Sequence, residues 1–204
     1  MKKIAKAGKN DEINQDIEIV DLAQNSGTAI EIDEELLTIY IFVDNLDKIQ
    51  LLGFRRYFEI LKKIYLAGQR SSPINIEFCT NGGQATVGLA MYDIIESSGL
   101  PVRTVALGEV VSAGVVVFLA GTERLIHKNS ILMTHRSHNG YGEGSRDEVE
   151  NSSNQLKTID ELMRNIILEK SKLTPRQLTK LWLSERFITA PEAIKWGLAH
   201  KIVG

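Results

Sequence analysis

Ile74-Asn-Ile-Glu-Phe-Cys-Thr-Asn-Gly-Gly-Gln-Ala-Thr-Val-Gly-Leu-Ala-Met91 is the stretch whose reading decides the fold. Ile74 to Cys79 reads as a strand, and Asn81-Gly82-Gly83 turns the chain where that strand ends. Val87, Leu89, Ala90, Met91, Ile94 and Ile95 then describe a helix that ends near Gly99. Strand, glycine turn and helix in that order form the repeating unit of an α/β protein.

The same rhythm extends in both directions. Upstream, Leu37 to Val43 is β-branched and aromatic and predicts a strand, and Asp44-Asn-Leu46 opens a helix running to about Leu66. Downstream, the pattern predicts a strand from Val102 to Leu107, a short buried helix from Ser112 to Ala120, and strands at Arg124–His127 and Ile131–Thr134. A long helix follows from about Arg146 to Ser171. Its first turns are almost wholly polar, so it projects from the core as a handle spanning about residues 136–171 and suggests an oligomer. Thr174-Pro-Arg-Gln177 and Thr189-Ala-Pro-Glu192 match capping boxes that start two short helices, and a last strand lies around Ala199 to Val203. Residues 1–33 are polar and weakly periodic and read as a poorly ordered arm; residues 34–204 read as one domain.

Composition narrows the function classes. The chain has 204 residues, 43% of them hydrophobic, and a formal net charge of -2, which gives no electrostatic footprint for nucleic acid or an anionic membrane. The one cysteine, Cys79, reads as a small buried apolar residue and cannot form an internal disulfide. Met1 to Asn10 is basic but is followed by acidic residues rather than an apolar core, and no apolar stretch is long enough to span a bilayer. A cytoplasmic protein is expected, with no metal or organic cofactor.

Three features carry chemistry. A serine hydroxyl becomes a useful nucleophile only with a base, a group that orients the base, and donors for the oxyanion. Ser112, in Gly108-Glu-Val-Val-Ser-Ala-Gly114, lies at a predicted strand-to-helix junction beside small residues that let a substrate approach. A serine at a helix start is also a common N-cap, and that reading stays open. His135 ends an apolar strand and enters a loop, as suits a base, with His138 as its competitor; His127 and His200 read as structural. The Asn81-Gly82-Gly83 turn would aim amides outward at a helix start, either as an oxyanion site or as an ordinary glycine turn.

From about Ile74 onward the chain resembles the proteolytic subunit of the Clp protease, a family of self-compartmentalised serine peptidases in the Clp/crotonase superfamily. The resemblance rests on Asn81-Gly-Gly83, Gly88-Leu-Ala-Met-Tyr-Asp93, Gly108-Glu-Val-Val-Ser-Ala-Gly114, Leu119-Ala-Gly121, Asn129-Ser130, Met133-Thr-His135, Gly140-Tyr141, Arg186-Phe-Ile-Thr-Ala-Pro-Glu-Ala193 and Trp196-Gly-Leu198, in that order. It implies an α/β fold of stacked strand-turn-helix units with a projecting handle helix. It implies Ser112 as nucleophile, His135 as general base, and Gly83 and Ala113 as oxyanion amides. Glu185 takes the place of the family's usual aspartate, with a solvated helix-end glutamate as the competing reading. Extended peptide would lie beside Gly140, Tyr141, Gly142 and Gly144.

The resemblance also implies a homo-oligomer, a heptameric ring stacked into a double ring, and an AAA+ unfoldase as partner. Two alternating tyrosines that help form the family's docking pockets are replaced by Asn75 and Glu77, which argues against docking of the usual unfoldase. An acid-base pair between rings is replaced by Leu183 and Ser184, which weakens the case for a double ring. Two other classes compete: a catalytically silent structural or regulatory subunit, and a crotonase-like acyl-CoA enzyme, which would not need Ser112, His135 and a carboxylate together.

Overall fold

The computed structural model describes residues 30–68, 72–138 and 144–204, and eight strands form one sheet among them. β1 (Ile30–Asp33) and β2 (Thr38–Val43) pair antiparallel. β2, β3 (Ile74–Thr80), β4 (Val102–Val111) and β5 (Glu123–His127) then run parallel in that spatial order. β6 (Ile131–Met133) pairs parallel with β4, β7 (Ile188–Thr189) pairs antiparallel with β6, and β8 (Lys201–Val203) adds to β5. The first strand falls inside the expected polar arm. Ile30 and Ile32 alternate with Glu31 and Asp33, so one face of this short strand turns toward the core and the other toward water. The rest of that arm, residues 1–29, lies outside the described residues.

The helices are α1 (Lys48–Leu66), α2 (Ala85–Ser98), α3 (Ala113–Leu119), α4 (Arg146–Glu169), α5 (Pro175–Ser184) and α6 (Ala190–Lys195). α1 starts later than Asp44 because Asp47 caps it, accepting from the Ile49 N–H at 2.6 Å. Leu46 is thereby left out of the helix and pairs with Gly83. Capping boxes at Ser145–Glu148, Thr174–Gln177 and Thr189–Glu192 open the last three helices. Phe54, Phe58 and Leu61 of α1 and Val87, Met91 and Ile95 of α2 recur at helical spacing and are buried with Ile39, Ile41, Ile76 and Phe78 of the sheet. Every residue of α3 is buried. Most of the first half of α4 is exposed, and its anchors, Met163 and Ile167, come late.

β4 does two jobs and overruns its expected end at Leu107. Arg103 to Ala106 pair with β5, whereas Glu109 to Val111 pair with β6. The register against β3 shifts between Phe78 and Thr80, and Gly108 takes a φ of 74° that a side chain would strain. Buried Ser130 repairs the irregularity: its hydroxyl accepts from the Gly108 N–H at 2.9 Å and donates to the Ala106 carbonyl at 3.1 Å. The bend carries the strand onward to Ser112. Cys79 corrects an expectation. It shares the half-exposed face of β3 with Asn75 and Glu77, opposite buried Phe78, and is itself only partly buried.

The carboxyl-terminal segment is fastened by Arg124, which is 7% exposed. Its guanidinium donates to the carbonyls of Leu198 (2.8 Å), Gly121 (3.2 Å), Lys170 (2.9 Å) and Gly197 (3.0 Å). A planar fork with five donors suits such a set of acceptors.

Candidate active site

Ser112 sits between β4 and α3 with φ 54° and ψ -125°, a backbone conformation rarely adopted by a residue with a side chain. Its N–H donates to the Met133 carbonyl at 2.7 Å, which locks the turn to the end of β6. Its side chain makes no capping bond to α3, so the N-cap reading does not describe it. The hydroxyl instead meets His135, with Oγ 2.9 Å from Nε2. In the tautomer protonated at Nδ1, Ser112 donates and Nε2 accepts.

His135 leaves the sheet two residues after β6 ends, and its side chain is 11% exposed. Burial lowers its pKa below the ordinary 6.5, and the nearby His138 lowers it further; Glu185, the Arg136 backbone and Asp160 pull the other way. The two imidazole rings lie 5.1 Å apart, so His138 stands beside His135, and it is His135 that meets the serine. Ser137 ties this loop to α4, donating its N–H to Asp160 Oδ1 at 2.7 Å.

Glu185 forms the αL C-cap of α5, with φ 46°. Its Oε1 stands 4.0 Å from His135 Nδ1 and its side chain is 64% exposed, so the two groups attract without a hydrogen bond. The next residue, Arg186, is held by Glu192 at 2.8 Å and lies over the Trp196 ring. Those contacts keep Glu192 ionised, with its pKa lowered to about 2, chiefly by Arg186 and then by the Thr189 N–H.

The glycine turn lies against the serine. A Cβ added to Gly82 would stand 2.7 Å from Ser112 Cβ and 3.0 Å from the Ala113 nitrogen. The Leu46 N–H donates to the Gly82 carbonyl at 2.6 Å, and the Leu46 carbonyl accepts from the Gln84 N–H at 2.8 Å. In a parallel bridge of this kind, the residue flanked by both bonds turns its own N–H away from the partner strand. The Gly83 N–H therefore points away from Leu46, although the residue itself packs against it, while Ala113, first in α3, has no acceptor within its helix. Both amides are free of these local commitments beside Ser112.

The structure thus brings Ser112, His135, Ala113 and the Gly82-Gly83 turn together and leaves Glu185 beyond hydrogen-bonding distance of His135. Gly144 is exposed just before the Ser145 cap, where a Cβ would meet Glu148. Gly140, Tyr141 and Gly142 lie outside the described residues. Sequence reasoning named Gly88 as part of a motif but missed its packing, an added Cβ standing 2.9 Å from Ala113 Cβ, and it missed the bond of 3.0 Å that Trp182 Nε1 donates to Thr134 Oγ1. A glycine inside a helical pattern was the available sign of the first; the second joins positions 48 apart and leaves no local trace. Among the described residues, no cluster of three or more His, Cys, Asp and Glu is arranged to hold a metal, and no helix is long and apolar enough to cross a membrane.

The sequence profile of the family described as Clp protease matches residues 57–204. Over 147 residues the chain is 26% identical to the ATP-dependent Clp protease proteolytic subunit 3 of Synechococcus sp., covering 71% of this chain and 74% of the relative. The proteolytic subunit 2 of Prochlorococcus marinus matches with the same identity and coverage, 26%, 71% and 74%. A solved structure of a ClpP mutant from Listeria monocytogenes superposes with a TM-score of 0.71 over 83% of this chain and 92% of that one, at 21% identity. That last likeness is one of fold.

Proposed function

Because the chain belongs to the Clp protease family and has the fold of its proteolytic subunits, we propose that it is a serine endopeptidase acting on unfolded polypeptides or short peptides through an acyl-enzyme on Ser112. The observation that carries this reading is the 2.9 Å approach of Ser112 Oγ to His135 Nε2 at a serine held at φ 54°.

In this reading His135 takes the hydroxyl proton as Oγ adds to the scissile carbonyl. The tetrahedral intermediate collapses, the carbon–nitrogen bond breaks, and the amine leaves with the proton from His135. A water deprotonated by His135 then cleaves the ester, releasing the carboxylate and restoring Ser112. The Gly83 and Ala113 amides stabilise the oxyanion in both halves of the reaction. Glu185 is the third member of the triad in this reading; its carboxylate, 4.0 Å from Nδ1, attracts the imidazolium cation.

In this reading the peptidase unit is one domain that includes the whole sheet. Peptide lies extended beside residues 140–144. The protein works as a homo-oligomeric ring enclosing the sites, in the cytoplasm, and the polar Asn75 and Glu77 disfavour the usual AAA+ unfoldase. Hydrolysis of an unfolded protein and of a capped fluorogenic peptide amide tests the reading. Wild type cleaves at least one and Ser112→Ala neither. Equal cleavage by both proteins contradicts the assignment, and a folded wild type that cleaves neither is the silent subunit.

A further inference from the structure

Nothing in the interaction between His135 and Glu185 is strong enough to hold the pair in register. The separation exceeds a hydrogen bond, the carboxylate is largely solvated, and the glutamate occurs at a helix end where the chain reverses. Something else must set where Glu185 stands.

The segment that carries it is pinned on both sides to the strand that carries His135. On the carboxyl side, Ile188 of β7 pairs with Leu132 of β6. On the amino side, the Trp182 indole donates to the Thr134 hydroxyl at 3.0 Å, with Trp182 6% and Thr134 1% exposed. Thr134 directly precedes His135. Trp182 precedes Glu185 by three positions, so the indole is tied down within the last turn of α5, next to the αL residue that caps it. The two ties thus bracket Glu185 on one chain segment and adjoin His135 on the other.

We propose that Trp182 is a positioning residue, whose buried hydrogen bond to Thr134 fixes the Glu185 end of α5 against the strand that presents His135. A dry, buried bond of this kind gives a direction as well as a distance. Removing it lets the helix end drift while the hydrophobic packing of the ring is retained. The inference rests on the serine-peptidase reading of Ser112, His135 and Glu185.

The test is the rate at which a fluorophosphonate labels Ser112, read with the pH profile, in Trp182→Phe, Thr134→Val and Thr134→Ser. Displacing a catalytic group by a fraction of an ångström lowers rates steeply, so Trp182→Phe and Thr134→Val should each label about tenfold more slowly. The acid limb of their profiles moves to lower pH as the pull of Glu185 on His135 fades. Thr134→Ser, which keeps an acceptor, restores the rate toward wild type. In a Glu185→Gln background, Trp182→Phe has little further effect, because its action passes through Glu185. A wild-type rate in folded Trp182→Phe overturns the proposal, and so does an undiminished tenfold loss in the Glu185→Gln background. Failure of wild type to label at all overturns the peptidase reading and this one with it, an outcome distinct from the other two.

Discussion

His135 stands between two unequal neighbours: its Nε2 lies within hydrogen-bonding distance of Ser112 Oγ at 2.9 Å, while its Nδ1 lies 4.0 Å from Glu185 Oε1. The serine contact is close, whereas the carboxylate is distant and its side chain is 64% exposed to water. In a buried triad, loss of the acid's charge lowers turnover by about 10⁴-fold. A solvated carboxylate beyond hydrogen-bonding distance contributes less, so Glu185→Gln should lower kcat by roughly 10- to 100-fold with KM little changed. Steady-state peptide hydrolysis measures this, and full activity would reassign the orienting group.

The pH dependence follows from the neighbours of His135. The proposed mechanism needs the neutral imidazole, and burial first, then His138, lowers its pKa below 6.5, against Glu185, the Arg136 backbone and Asp160. On that mechanism, activity should persist to lower pH than an unperturbed imidazole would allow. His138→Gln removes an opposing charge, so the acid limb of kcat/KM should move to higher pH; Asp160→Asn should move it to lower pH. An unmoved limb in both variants would contradict this electrostatic picture.

Stability should follow pH in the same region. His135 and His200 both have pKa values lowered from 6.5, each mainly by burial, and His200 Nδ1 accepts the Arg124 N–H. The unfolded chain protonates these rings near 6.5 while the folded chain still excludes the protons. Their contribution is therefore present above 6.5 and lost as pH falls through the window below it. Thermal melts should show Tm falling across that window and falling less steeply in His200→Gln.

Backbone strain at Ser112 separates fold from function. Glycine accepts a positive φ that serine, at 54°, does not adopt freely. Ser112→Gly should remove activity yet raise stability by about 1 kcal/mol relative to Ser112→Ala, which keeps the strain. Denaturant melts of the two variants give the comparison directly.

Gly88 offers the opposite case. Glycine within a helix is ordinarily improved by alanine by up to about 1 kcal/mol. Here the added Cβ would stand 2.9 Å from both the Cβ and the carbonyl oxygen of Ala113. Gly88→Ala should therefore destabilise by about 1–3 kcal/mol and reduce hydrolysis, because the displaced residue is the one proposed to supply an oxyanion amide. A stabilised, fully active variant would contradict the assignment of Ala113.

Much of this arrangement was legible before any coordinates, and the reasons differ by element. The Thr174 and Thr189 caps are local hydrogen-bonding patterns, so spacing alone located them, and both are present. Helices α1 and α2 announced themselves through apolar residues at helical period. The extension of β4 through Gly108 to Val111 was hidden because glycine usually stops a strand, and only Ser130, 22 residues away, makes the bend acceptable. β7 is two residues long and exists through its pairing with β6. Cys79 was misread because residue type suggested burial while strand alternation decided its face. At the candidate site, Ser112 and His135 were identifiable as types in suggestive places, but their contact depends on the Met133 carbonyl holding the Ser112 N–H, a relation across strands.

The central claim is that Ser112 is a nucleophile activated by His135, and the most direct measurement is covalent labelling of the folded protein by a fluorophosphonate, with the modified residue located by mass spectrometry. The account predicts one adduct on Ser112 in wild type, formed far more slowly in His135→Ala. A folded wild type that remains unlabelled at Ser112, or one labelled equally fast without His135, would contradict it.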